Sequence, residues 1–379
     1  MSLSHHLLGI AQDFDRTIAQ SNAVELESLD KLLSSSAMDA LGCGYIASSD
    51  NTSTCCHSLT DNLQLLDLLI NVSGYTYEAK YAQPAGQIID ALIHLHVRDG
   101  LLFEQTEFPC SYMTFDHEQL LDLLGEDLFK TFEAVHFKEP IGDEAERPVF
   151  ARSIPEASDY LGQYIKQTHY AYEQARQTLV YRFFGLEHKL YGQSLFSSSL
   201  CSLVLLKAAG RFNRPDLIDL TFVKSLTDVE PDLLTERDKL AYIAALYEAL
   251  RYQWRQTLFK QLMRLLESIP MPSIMALTNE SSYLSYLLSK SILSSLLLTN
   301  QIDKAHQVIQ SNALNHLSKL QLKILLNDQP TARNQQQQNN AEYSPVNDCL
   351  VVTKDPSFRS LHKIDDTSQE YLIQLPDPS

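Results

Sequence analysis

Apolar residues recur every three to four positions through most of this chain, and that period predicts helices rather than strands. The run "LQLLDLLINV" predicts a helix starting near Ser58, where Ser58 and Asp61 read as a capping box, and stopping before Gly74. A second helix is expected after Pro84, with Ile88, Ile89, Leu92, Leu95 and Val97 on its apolar face and Gly100 at the C′ position that ends it. "HEQLLDLLGEDLFKTFEAVHF", residues 117 to 137, is a third amphipathic segment. From Pro155 onward the pattern is almost wholly helical. It begins with a long segment that sets Tyr160, Tyr164, Tyr170, Tyr172 and Tyr181 among polar residues, a composition that normally packs against neighbours.

The breaks in this pattern divide the chain. Residues 1–57 mix short helical patterns with a polar cluster at 48 to 54 that reads as a loop. Residues 58–138 form a helical domain, 139–155, beginning "EPIGDEAERP", an acidic, proline-bounded linker, and 156–327 a second helical domain. Residues 328–379 open with "DQPTARNQQQQNNAEYSPVNDC", which has too little apolar surface to offset the entropy of ordering and reads as a flexible connector. The terminal "SQEYLIQLPDPS" regains apolar residues and reads as a short docking segment or sorting signal, or as an inert tail. The expected fold is therefore mainly α: an N-terminal helical domain with minor β structure, then an α-hairpin repeat or helical bundle domain.

Composition narrows the partners. Thirty basic against forty-seven acidic side chains give a net charge of −17, a field that repels phosphate backbones and anionic lipid. Another protein is the expected partner, and no nucleic acid. Only twelve glycines, with no phosphate-cradling loop motif, leave nucleotide chemistry without support and no cofactor required. The six cysteines are irregularly spaced and the N-terminus lacks a secretion-signal pattern, so reduced thiols in a cytoplasmic compartment are expected. The longest apolar stretches, such as "SILSSLLL", fall short of the ~20 residues that cross a bilayer. No transmembrane segment is expected.

Three stretches in the second helical domain share a rhythm: "LLKAAGRFNRPDLIDLTF" from 205, "LYEALRYQWRQTLFKQLM" from 246 and "LLLTNQIDKAHQVIQ" from 296. In each, an apolar helix end meets a short polar joint and a second helix begins. The rhythm resembles a degenerate tetratricopeptide or HEAT-type array over roughly residues 190 to 327, with Ala305 at the family's small-residue position. That resemblance implies a concave protein-binding surface. An irregular bundle is the alternative reading of the same residues. The irregular repeats, the asparagine and glutamine tract and the polar tail also resemble, in composition, type IV-secreted bacterial effectors, although the tail carries only Glu370 where a cluster of glutamates is usual. This likeness implies delivery into a host cytosol.

Candidate chemistry is sparse. "ALIHLHVRDG" resembles the His-x-His with Arg-Asp-Gly of the cyclic amidohydrolases, whose two histidines bind zinc. In a helix, however, His94 and His96 point about 200° apart and cannot share a metal, and no metal site is expected here. Cys55 and Cys56 lie just before the helix expected near Ser58, where a helix N-terminus can activate a thiol, and His94, His117 and His136 are available as bases. A short strand at "FEAVHFKEP" is one way for His136 to be brought to a thiol. Buried structural thiols are the competing reading, favoured for Cys43, Cys110 and Cys201. Trp254, beside Arg251 and Arg255 at a helical joint, reads as core or as an anchor for a partner. The two function classes are thus a protein-binding adaptor, regulator or inhibitor, and a cysteine-dependent hydrolase or transferase acting on a protein.

Overall fold

The computed structural model describes residues 2–19, 26–35, 37–48, 53–220, 234–309, 351–352 and 373–374, and among these the fold is mainly helical, with fourteen helices and eight short strands. The chain forms two compact units. One comprises 1–25, 63–82 and 194–379; the other comprises 26–62 and 83–193.

Among the described residues the first unit is helical apart from one strand pair. It holds α1 (Leu3–Ala19), most of α3 (Leu59–Thr76), α8 (Leu195–Phe212), α9 (Asp216–Leu220), α10 (Glu236–Tyr252), α11 (Gln256–Ser268), α12 (Met271–Thr278), α13 (Tyr283–Leu298) and α14 (Ile302–Ile309). Helix α10 packs between α8 and α13, while α9, α11 and α14 each pack on the helix before them. All three joints expected as breaks between helices are such breaks. Every residue from Leu240 to Leu250 is buried, so α10 is enclosed on all sides, as a central helix must be. Helices α8 and α13 are rich in serine yet buried, and several of their hydroxyls turn back onto carbonyls one turn earlier. Ser202 Oγ donates to the Ser198 carbonyl at 2.9 Å, and Ser295 Oγ to the Ser291 carbonyl at 2.7 Å. Helix α8 has the length and hydropathy to cross a bilayer, but 67% of it is buried inside the protein.

Buried charge joins several helices of this core. Asp67, on α3, is buried and receives Lys207 Nζ at 2.9 Å and the Tyr283 hydroxyl at 2.8 Å. Tyr286 donates to Asp15 at 2.7 Å, and Lys290 donates to Tyr286 at 3.1 Å. Helices α1, α3, α8 and α13 are thereby tied through two carboxylates.

The second unit is a four-stranded antiparallel sheet backed by helices. Strands β1 (Ala47–Ser48), β2 (Thr54–Ser58), β5 (Gln105–Pro109) and β6 (Lys189–Tyr191) run in the order β1-β2-β5-β6. Helices α4 (Ala79–His96), α5 (His117–His136), α6 (Ile154–Leu161) and α7 (Ile165–Phe184) share one apolar core with the inward residues Cys55 and Phe108 of the sheet. The short α2 (Glu27–Leu33) precedes it. The strand pair of the first unit joins β7 (Val351–Val352) antiparallel to β8 (Ile373–Gln374). The sorting-signal expectation for the tail otherwise falls on residues outside those described.

Several boundaries differ from expectation. Helix α3 starts at Leu59, with Ser58 Oγ accepting from Asp61 N at 3.3 Å, but it continues past Gly74. Helix α4 begins before Pro84 and ends at His96. Gly100 is not its C′ residue: Asp99 and Gly100, at φ 54° and 77°, form the turn of a hairpin between β3 (Val97–Arg98) and β4 (Leu101–Leu102). Two successive left-handed residues are what a two-residue primed turn requires. The long segment after Pro155 is broken at Gly162, in left-handed conformation between α6 and α7. Residues 139–155 lie within the second unit, where Phe115 and Glu146 form an antiparallel bridge and Ile141 N donates to Glu133 Oε1 at 3.0 Å.

The loop from Asp39 to Tyr45 is held from several sides. Asp39 accepts from Cys43 N at 3.0 Å, Arg176 donates to the Leu41 carbonyl at 2.8 Å, and Asn62 bonds both backbone groups of Tyr45. Gly44 sits at φ +102°, and a Cβ there would stand 2.2 Å from Asn62 Oδ1. Gly44→Ala should therefore cost about 2–3 kcal/mol through backbone strain and displacement of Asn62. A urea-unfolding midpoint unchanged from wild type would show that the loop tolerates a side chain.

Candidate functional site

Strand β2, "TCCHS", alternates its side chains, and the alternation sorts its chemistry. Cys55 and His57 face the helices; Cys56 faces away. In the antiparallel register Cys55 lies opposite Phe108, His57 opposite Thr106, and Cys56 opposite Glu107.

Cys55 is joined to Cys110 by a disulfide with a Cα–Cα distance of 5.0 Å, well within the usual range. This corrects the expectation of reduced thiols at two of the six cysteines. The pairing follows from register: Cys110 comes two residues after Phe108, and its N–H donates to the Ser53 carbonyl at 2.7 Å, continuing the β2–β5 ladder. Of the remaining described thiols, burial pushes Cys43 well above the ordinary range and Cys201 up to about 12. The half-exposed Cys56 is also raised, first by partial burial and further by Glu107 and Asp61, against a lowering hydrogen bond from Gln105. That is the opposite of activation.

The histidine that Cys55 brings with it is His57. Its Nδ1 lies 2.7 Å from His96 Nε2, its Nε2 lies 2.7 Å from the Cys43 carbonyl, and His96 Nδ1 lies 2.8 Å from the Phe103 carbonyl. Both rings are fully buried. Burial lowers the imidazolium of His57 to about 4 and that of His96 well below the histidine range. His188, also buried, stands edge-on to Phe108 and Phe183, and its charge would oppose one on His57. The His57–His96 pair was not anticipated, although the alternation of β2 and the "HLH" of α4 are both visible in the sequence.

The remaining candidates lie apart. His94 is exposed and stacks on Phe184 at 4.5 Å, on the opposite side of α4 from His96, as helical spacing requires. His117 starts α5 and meets Phe129 edge-on at 4.8 Å. His136 ends α5, within the amphipathic segment expected at 117–137, and no strand carries it. It is buried among Phe132, Phe150 and Tyr172, and neither ring nitrogen makes a hydrogen bond of ordinary geometry. Burial pushes its imidazolium down to about 3, against a smaller opposing pull from the Val149 backbone. Among the described residues no hydrogen bond joins a free thiol to any of these three histidines. Trp254 is half-buried against Phe259 at 5.0 Å, Arg251 is paired with Glu248 at 3.0 Å inside the first unit, and Arg255 is exposed and holds Gln253.

The chemistry these residues can perform is limited. Among the described residues no group of three or more His, Cys, Asp or Glu side chains is arranged to hold a metal. What the second unit presents to solvent is different in kind. Of the twelve large apolar side chains exposed among the described residues, seven fall between Val149 and Tyr181, including Tyr164 at 83% and Tyr181 at 68% exposure. In the same unit, residues 117–146 carry nine carboxylates and two lysines. Eight of those carboxylates are exposed, and the 139–146 stretch folds back along α5. No protein-family model and no curated protein matches this chain.

Proposed function

We propose that this chain is a protein-binding module and that the helical face of its second unit docks a partner with a basic surface. The observation that carries the reading is the tyrosine-rich outer face of α6 and α7, where Tyr160, Tyr164, Ile165, Tyr170 and Tyr181 are exposed. Tyr170 and Tyr181 are eleven residues apart on α7, close to three full turns, and so lie on one side of the helix with the exposed Gln174 and Gln177 between them. Tyrosine supplies large, stiff contact area with a polar tip and is enriched at the centres of interfaces. Helices α5, α6 and α7 pack against one another, and α5 carries exposed carboxylates of its own in the same unit.

Charge supports the choice of partner. An acidic rim steers association with a basic surface and makes its rate depend on salt. The test is binding of the full chain to an array of lysine- and arginine-rich peptides, beside a Tyr164→Ser/Tyr170→Ser/Tyr181→Ser variant. All three side chains are exposed, so the variant should fold with an unchanged melting temperature. It should lose at least tenfold in affinity, and wild-type binding should weaken as salt rises. Binding that is equal in both proteins would set this surface aside.

A further inference from the structure

We propose that the buried His57–His96 pair is a one-proton switch whose moving part is the β3–β4 hairpin that ends at Phe103. The pair has four ring nitrogens and three short contacts: Cys43 carbonyl to His57 Nε2, His57 Nδ1 to His96 Nε2, and His96 Nδ1 to the Phe103 carbonyl. A carbonyl only accepts, so each outer contact needs its own N–H, and the inner contact needs a third. Two neutral imidazoles carry two such protons. The neutral pair must therefore leave one contact unmade, one added proton completes all three, and a second would set N–H against N–H.

The surroundings indicate which contact gives way. Cys43 belongs to the loop that Asp39, Arg176 and Asn62 hold, so its carbonyl is fixed. Phe103 closes a two-residue hairpin whose tip, from Arg98 to Leu101, is exposed. In the neutral pair, then, His57 keeps Nε2–H on Cys43 and accepts at Nδ1 from His96 Nε2–H. The bare Nδ1 of His96 is left facing the Phe103 carbonyl, and the hairpin loosens. When His96 gains a proton at Nδ1, it donates to Phe103 and the hairpin is clamped.

Other groups bear on the same step. His188 before β6 opposes charge on His57, and Arg98 of β3 in turn acts on His188. Asp99 lies in the hairpin turn and Glu104 immediately follows Phe103, while Asp39 and the Cys43 thiol lie on the other side of the pair. Burial works against charge on either ring, which sets the uptake on the acid side of the ordinary histidine range.

Two readouts on the isotope-labelled full chain test the switch. At neutral pH, ring-nitrogen NMR should find both His57 and His96 protonated at Nε2 alone, and amide exchange should find Phe103 and its hairpin less protected than the 39–45 loop. The His57→Gln variant offers His96 Nε2 an amide donor, which lets His96 carry its proton on Nδ1 without any charge. In that variant the hairpin should gain at least severalfold protection at neutral pH. Hairpin exchange that does not change in the variant would overturn the proposal, as would a neutral His96 already protonated at Nδ1 in the wild type. Ring signals that move on adding EDTA would show a bound metal in place of the switch and would equally overturn it.

Discussion

Replacing Asp67 by alanine should destabilise the protein by about 3–5 kcal/mol, because it removes the carboxylate paired with the buried Lys207 ammonium in the first unit. The side chains of Lys207 and Asp67 are 8% and 1% exposed, so water cannot take over the missing partner. The Tyr283 hydroxyl, which donates to the same carboxylate, loses its acceptor too. Burial and the nearby Asp67 hold that phenol well above its ordinary range, so it stays protonated and needs an acceptor. The double variant Asp67→Leu/Lys207→Met removes both charges and should recover most of the loss, since a buried ion pair is often replaceable by apolar side chains of similar size. Urea unfolding of the three proteins decides it. A single-variant loss below about 1 kcal/mol would place the pair in the class of solvent-screened surface bridges.

Acid is the second large lever. His57 and His136 are buried and their imidazolium forms are lowered to about 4 and about 3. In the unfolded chain each takes up its proton near pH 6.5, whereas in the folded protein each resists it. A histidine whose folded pKa lies below its unfolded value favours unfolding as pH falls, so stability should be constant above about 7 and decline below about 6.5. At pH 5 each ring that remains neutral costs about 2 kcal/mol, and the two together about 4 kcal/mol. His136→Phe should remove its half of this dependence, because the ring lies among Phe132, Phe150 and Tyr172 and makes no ordinary hydrogen bond that phenylalanine would forfeit. Unfolding midpoints between pH 7.5 and 5 that are flat, or equally steep in wild type and variant, would contradict this account.

The helices were legible because their signal is local. The apolar period of "LQLLDLLINV" and of residues 117–137 is complete within each segment, and α3 and α5 lie where it points. The small sheet was not legible. Its strands are two to five residues long, and β5 pairs with β2 some fifty residues before it and with β6 some eighty after it. Both the disulfide and the histidine pair depend on that register, so neither Cys110 nor His57 carried a recognisable role in isolation. At Asp99-Gly100 the hairpin signal is present, but the helical period running through Ile88, Leu92 and Leu95 outweighs it and makes Gly100 look like a helix end. The exposed tyrosines show the reverse problem. Aromatic residues along a helix normally mark its packed face, whereas here Tyr172 is buried and Tyr160, Tyr164, Tyr170 and Tyr181 are not, a division that depends on where α5 and α6 meet α7.

That division also marks where the binding account is most exposed to test. A photoreactive amino acid placed at Tyr164 or Tyr181, with one at the exposed Tyr252 of the first unit as control, should cross-link in a cell lysate according to which surface is occupied. The account predicts that the same basic protein is captured from both α7-side positions, that its capture fades as salt is raised, and that it is absent at position 252. Adducts at 252 alone, or an acidic protein at 164 and 181, would contradict it.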